Sequence, residues 1–337
     1  MIIKMSMIIR PIIVFLIYSL YSTVYALPEI NTWTTDNGIK VLHVNSPELP
    51  MVDIALTFDA GSARDNELAG LSTMMHGLLD KGTGKLNADD VASRFEDVGA
   101  QFGASVDLDR SSVTLRSLTG EEFFDKALTM FIDVVSKPSF PERDFDREKK
   151  RLLISLQNID QSPGDIVGRK FYQLLYQNHP YAQPQSGTNK SASKITLKDV
   201  KEFHKQYIVA TNSILAIVGD VSESQAQKIA NTISTSVPKG KAQEEIVLAK
   251  PSTEIKQHVE FASQQSHVRI GQIGIERGNP DYFSLYVIIY WAVVASHPGW
   301  LKKCVAIEAC PTVCIVTFFL TSRPDHSCLV CKLVQTR

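Results

Sequence analysis

The first 303 of the chain's 337 residues contain no cysteine, and the five that exist (Cys304, Cys310, Cys314, Cys328, Cys331) all fall in the last 34. A disulfide framework is therefore excluded for most of the molecule. Charge of one sign is also lacking: 35 Lys and Arg face 36 Asp and Glu, for a formal net charge of −1. No basic field exists to hold nucleic acid by counterion release, so no nucleic-acid partner is expected. With 44% hydrophobic and 21% charged residues, neither disorder nor an all-membrane protein fits.

The one long apolar run lies at the start, Pro11-Ile-Ile-Val-Phe-Leu-Ile-Tyr-Ser-Leu20, after Lys4 and Arg10 and before Val24-Tyr25-Ala26. It falls short of the roughly 20 residues that span a bilayer. Residues 1–26 read as a secretory signal peptide, which implies an exported chain, periplasmic or secreted, beginning near Leu27.

Period-two alternation over Ile39 to Val44 and Val52 to Phe58 gives two strands before the first helix. Leu68, Leu71, Met75 and Leu78 then recur at helical spacing from Asn66 to Lys81, where Gly82 ends the pattern. Asn87 caps a helix to Val98, and Gln101 to Asp107 with Ser112 to Leu118 forms a hairpin. Helical periodicity follows at Glu121 to Val135, Glu142 to Ile159, Asp165 to Tyr176, Thr196 to Tyr207 and Glu223 to Ile233, with a strand at Ser213 to Val218. Residues 237–257, rich in Lys, Glu, Pro and Ser, read as a linker, assigned to 241–257. After it, Val268 to Ile275 and Asn279-Pro-Asp281 follow the layout of Val52 to Phe58 and Asn66-Glu67, as if a second copy of one unit began there.

The stretch Ala69-Gly-Leu-Ser-Thr-Met-Met-His-Gly-Leu-Leu-Asp-Lys-Gly-Thr83 resembles the pitrilysin/insulinase family of zinc peptidases, which includes mitochondrial processing peptidase. Val98-Gly-Ala-Gln-Phe-Gly103, Lys137-Pro-Ser-Phe-Pro141, His179-Pro-Tyr181, Gly187-Thr188 and Ile217-Val-Gly-Asp220 extend the resemblance over about 30–287. It implies an α+β fold: a layered domain of helices on a mainly antiparallel sheet at 27–240, and an incomplete second copy at 258–287.

The family's zinc site is the inverted motif His-x-x-Glu-His plus a later Glu. Two imidazoles one helical turn apart take the metal, and the Glu between them activates a bound water. The corresponding positions here are Thr73, Met74, Met75, His76 and Gly77, and the later Glu falls at Ser155. Both imidazoles, the base and the later carboxylate are thus replaced, so no catalytic residue, no metal ligand and no bound cofactor is expected. His76 finds only Ser72 and Asp80 at i±4, a weak and a hard ligand, and reads as a helix histidine of a former active-site cavity. A Ser72–His76 nucleophile and base is the other reading of that pair.

In the last fifty residues, Cys310-x3-Cys314 and Cys328-x2-Cys331 have the spacing of a zinc ribbon. A frameshift near Val287 is the competing reading. Shifting the codon frame across Ile289 to Phe318 permits Ile-Leu-Gly-Gly-Gly-Gly-Phe and, later, Lys-Glu-Val-Arg-Ser-Asn-Arg-Gly-Leu-Ser-Tyr. These words resemble the family's glycine-rich loop and its Arg-Gly-Leu-x-Tyr stretch, whose Arg and Tyr assist substrate binding. On this reading 288–337 is an out-of-frame tail.

The resemblance implies the non-catalytic, substrate-binding subunit of a heterodimeric peptidase, partnered by a motif-bearing subunit and acting on peptide or unfolded protein. An active zinc endopeptidase with substitute ligands and a stand-alone peptide-binding module are the alternatives.

Overall fold

The computed structural model describes residues 29–247, 249, 255–262, 265–269, 272–273 and 279–287, together with strands at 305–310, 313–321 and 333–334. The leader expected at 1–26 and most of 288–337 lie outside the described residues.

Strands β1 (Asn31–Thr34), β2 (Lys40–Asn45) and β3 (Met51–Phe58) come first, so three strands, not two, precede the first helix. β1 lacks a sequence signal because Asn-Thr-Trp-Thr carries a single apolar residue. Helix α1 (Leu71–Leu78) follows, then the two-residue ladder of β4 (Gly82–Thr83) and β5 (Leu86–Asn87), α2 (Ala88–Glu96) and the hairpin β6 (Gln101–Val106) and β7 (Ser111–Leu118). Next are α3 (Glu121–Ser136), α4 (Glu142–Ile159), α5 (Pro163–Tyr176), α6 (Asn189–Lys194), α7 (Leu197–Tyr207), β8 (Ser213–Gly219) and α8 (Glu223–Ser236).

Six of the strands form one sheet in the order β1-β2-β8-β3-β7-β6. Only β2 and β8 run parallel, so the sheet is mainly antiparallel as expected. One face is covered by helices: Val52, Ile54, Leu56 and Phe58 of β3, Val113 and Leu115 of β7 and Leu215 and Ile217 of β8 share a buried core with Met75, Leu78, Phe131, Phe203 and Ile229. The other face is open, with Ile214 44% and Val218 41% exposed.

Local chemistry explains most helix starts. Asn87 accepts from the amides of Asp89 (2.8 Å) and Asp90 (3.1 Å) while the Asp90 carboxylate accepts from the Asn87 amide, a reciprocal cap. Thr196 with Asp199 and Ser222 with Gln225 repeat it. α1 is the exception. It begins at Leu71 rather than Asn66, because Gly70 adopts a left-handed φ of 99° and Asn66 one of 50°. The cap comes from upstream: the Asp65 carboxylate accepts from the amides of Gly70 and Ser72, each at 2.8 Å.

The expected linker starts bound to the first domain. An Arg64 guanidinium nitrogen donates to the Glu244 carbonyl and His179 Nε2 to that of Val247, both at 2.7 Å, and Ile246 and Ala249 pack against Leu175, Tyr176 and Tyr181. Beyond it, β9 (Gln265–Val268), β10 (Gln272–Ile273) and a helix at 282–287 occupy the expected second copy. Its first strand lies three residues earlier than Val268 to Ile275 implied. β9 pairs antiparallel with β12 (Val313–Thr321), which also pairs with β11 (Val305–Cys310), while β13 (Leu333–Val334) runs parallel to β10. The cysteine side chains lie outside the described residues.

Candidate functional site

α1 carries the motif positions and packs against α4, α7 and the edge strand β6. Thr73 and Gly77, one turn apart, share a helix face. The Thr73 hydroxyl donates to the Gln185 carbonyl at 3.1 Å. Gly77 is exposed, and a Cβ built on it would meet no atom within 4 Å, so the position of the second imidazole opens onto free space. Ser155 is exposed on α4. A hydroxyl satisfied by a carbonyl, a missing side chain and a neutral solvated hydroxyl do not fit zinc, which needs imidazole, thiolate or carboxylate donors.

His76 is turned away from that face. It is 5% exposed, and its Nδ1–H donates to the Ser72 carbonyl at 3.0 Å. Because a carbonyl only accepts, Nδ1 holds the proton and Nε2 is a bare acceptor, with no hydrogen-bond partner among the described residues. Burial pushes the imidazole down to about 4, against the pull of the Ser72 carbonyl, and His204 on α7 lowers it further. At neutral pH His76 is therefore an uncharged core residue rather than a group lining an open cavity. His204, likewise lowered by burial, donates from Nε2 to the Val135 carbonyl at 2.8 Å and meets Phe140 edge-on. Ser72 is fully buried, which leaves a Ser72–His76 pair no access to substrate. Among the described residues, no group of three or more His, Cys, Asp or Glu is placed to hold a metal ion.

Two features absent from the sequence reading complete the site. Gln185 joins α1 to the edge strand: its carbonyl takes the Thr73 hydroxyl and its amide nitrogen donates to the Val106 carbonyl of β6. Asp65, 2% exposed behind the start of α1, is raised by burial to about 7, against the lowering effect of the amides it accepts from. Asp65 borders a cavity of about 350 Å³ whose lining mixes Arg64, Glu67, Asp199 and Glu202 with Leu71 and Phe203.

The profile of the insulinase family, peptidase family M16, matches residues 40–189, and that of the peptidase M16 inactive domain matches 194–291. The chain belongs to peptidase family M16. It resembles the crystal structure of a peptidase M16 inactive domain from Pseudomonas fluorescens at 37% identity and a TM-score of 0.74, over 75% of this chain and 62% of that one. It is 26% identical over 208 residues to the non-peptidase homolog YmxG of Helicobacter pylori, covering 61% of this chain and 48% of that protein. It is 24% identical over 266 residues to human cytochrome b-c1 complex subunit 1, mitochondrial, covering 77% and 55%. The chain spans about half the length of several curated relatives it matches. It is an M16 member of the inactive type.

Proposed function

We propose that this chain is a non-catalytic subunit of an exported M16 peptidase, holding an extended peptide for a partner that carries an intact zinc motif. One observation carries the reading: on α1 and α4 the four positions that would supply metal chemistry hold Thr73, His76, Gly77 and Ser155, and the one imidazole among them faces the core.

The supporting feature is β6. It ends the sheet, packs beside α1, and reads Gln-Phe-Gly-Ala-Ser-Val, with none of the charges or prolines that usually blunt a free edge. An unblunted edge accepts an extended peptide as a further strand. A relative that is by name a subunit of the cytochrome b-c1 complex fits a family member working inside an assembly. Export rests on the leader-like sequence of residues 1–26.

The test is co-expression of the chain with a motif-bearing M16 subunit, scored for co-purification and peptide cleavage. The reading expects a stable pair and cleavage that requires the partner's motif. Zinc-dependent cleavage by this chain alone would favour an active peptidase with substitute ligands, and peptide binding without any partner would favour a stand-alone module. Export is checked separately by the mature N-terminus, which should lie near Leu27.

A second proposal concerns the second half. The M16 match ends at residue 291, close to Val287, which supports the reading that the family wording continues in another frame from there. We infer that 288–337 is an out-of-frame tail and that the Arg-Gly-Leu-Ser-Tyr element belongs to the restored product. Sequencing the gene and its transcript across this point tests it: an unbroken frame with no family wording in the alternative one would refute the shift.

A further inference from the structure

We propose that the cavity between the approach to α1 and one face of α7 is a binding site for a small free organic dication, an aliphatic diammonium whose charged ends meet carboxylates and whose methylene stem lies on apolar and aromatic side chains. Its lining includes none of the motif positions on α1, and the site does not depend on the peptide-holding role.

Two segments build the cavity. Residues 64–68 lead into α1, and α7 presents Asp199, Glu202, Phe203, Gln206 and Tyr207, spaced as one face of a helix. A volume of about 350 Å³ is within the range of small-molecule sites. The charge balance of the walls has one sign. Arg64 spends its guanidinium on the Asp59 carboxylate, at 3.0 and 2.6 Å, and on the Glu244 carbonyl. The carboxylates are not matched in this way. Glu67 is exposed and has no ion-pair partner among the described residues. Asp199 uses Oδ2 to accept from the amide and hydroxyl of Thr196, at 2.7 and 2.6 Å, which leaves Oδ1 free to accept from a ligand. Glu202 meets Lys198 loosely, at 3.6 Å. An anion is therefore repelled, and a cation finds acceptors on both walls.

A second observation is independent of these charges. Tyr207 is 6% exposed and lines the cavity, and its hydroxyl has no hydrogen-bond partner among the described residues. Burial raises its ionisation above the usual tyrosine range, so at neutral pH the hydroxyl is intact and can accept from an N–H donor. The rings of Phe203 and Tyr207 stand 4.5 Å apart between centroids, and aromatic faces attract alkylammonium groups as well as their methylenes. A metal ion is the poorer fit. Among the described residues no three carboxylates converge as a hard cation requires, whereas a stem that separates two charges suits carboxylates set apart.

The experiment titrates the full chain calorimetrically, at low salt, with 1,4-diaminobutane, butylamine, 1,4-butanediol and calcium chloride. One equivalent of the diamine should bind, about tenfold more tightly than butylamine, and the diol should not bind. Glu67→Gln combined with Glu202→Gln changes two exposed side chains and should weaken the diamine by about tenfold. Tyr207→Phe removes a hydroxyl that holds nothing in the fold and should weaken it about threefold. Glu121→Gln combined with Glu122→Gln removes the same charge from exposed positions of α3, outside the cavity, and should leave the affinity within about twofold. No binding at about 10 mM diamine, equal weakening by the two double variants, an affinity unchanged in Tyr207→Phe, displacement of the diamine by calcium, or a diol that binds as well as the diamine would each overturn the proposal.

Discussion

Titrating Asp65 probes the base on which α1 stands. The carboxyl titrates at about 7 in the folded chain, against 3.8 for an ordinary exposed Asp. Because the folded value is raised, the folded state keeps a proton that the unfolded chain gives up between those two values. Its contribution to stability is therefore complete below about pH 4, declines as pH rises toward 7, and is lost above that. The difference corresponds to at most about 4 kcal/mol. Asp65→Asn removes the titration; because its amide nitrogen cannot accept from the second of the Gly70 and Ser72 amides, it also carries a constant loss, and the effect of Asp65 is read from the pH dependence of the difference. Urea unfolding of both proteins at pH 4, 5, 6, 7 and 8 should show the variant's stability relative to wild type growing with pH, by roughly 1 kcal/mol between pH 4 and 5 and by about 4 kcal/mol in all by pH 8. His76 and His204 contribute a slope of opposite sign at acid pH, because buried imidazoles lowered by burial resist the proton that the unfolded chain accepts. That slope is common to both proteins and cancels in the difference. A difference between the two proteins that stays constant from pH 4 to 8, or shrinks, would refute the reasoning.

Other outcomes follow from the same geometry. Thr73→His, His76→Glu, Gly77→His and Ser155→Glu together should recover zinc binding before activity. Gly77 has room for an imidazole, whereas Glu at 76 must leave a core position; a folded quadruple variant with no zinc would count against the placement of the ligands. Phe131→Ala removes a fully buried ring from under the sheet and should cost about 3–5 kcal/mol in urea unfolding, a loss below 1 kcal/mol contradicting its core position. Limited proteolysis should remove 288–337 first and spare 29–240; a resistant tail with one zinc per four cysteines would favour the ribbon. Restoring the frame near Val287 should improve co-purification with a motif-bearing partner, and no change would show that function does not reside in the missing half.

Elements were legible in the sequence where local chemistry and burial agree. α4 runs from Glu142 to Ile159 as its periodicity implies, and Asn87 caps the helix it was expected to cap. The start of α1 was not legible, because Leu68 continues the apolar spacing while the backbone turns at Gly70 and the cap sits at Asp65. The parallel pairing of β2 with β8 joins distant parts of the chain and leaves no local trace. The letters at the proposed motif positions, Thr73, His76 and Gly77, are read directly from the sequence. That His76 faces the core, and that Gln185 ties Thr73 to β6, depend on side-chain directions that spacing along the chain does not encode.

The central claim, that this M16 chain holds peptide without zinc chemistry, is tested most directly by incubating the purified full chain with a strand-forming peptide and one equivalent of zinc, then measuring bound metal by elemental analysis and peptide integrity by mass spectrometry. The account predicts bound, intact peptide and no stoichiometric zinc after desalting, with His76→Ala unchanged in metal content. One retained zinc per chain, with cleavage that a chelator stops and His76→Ala abolishes, would contradict it.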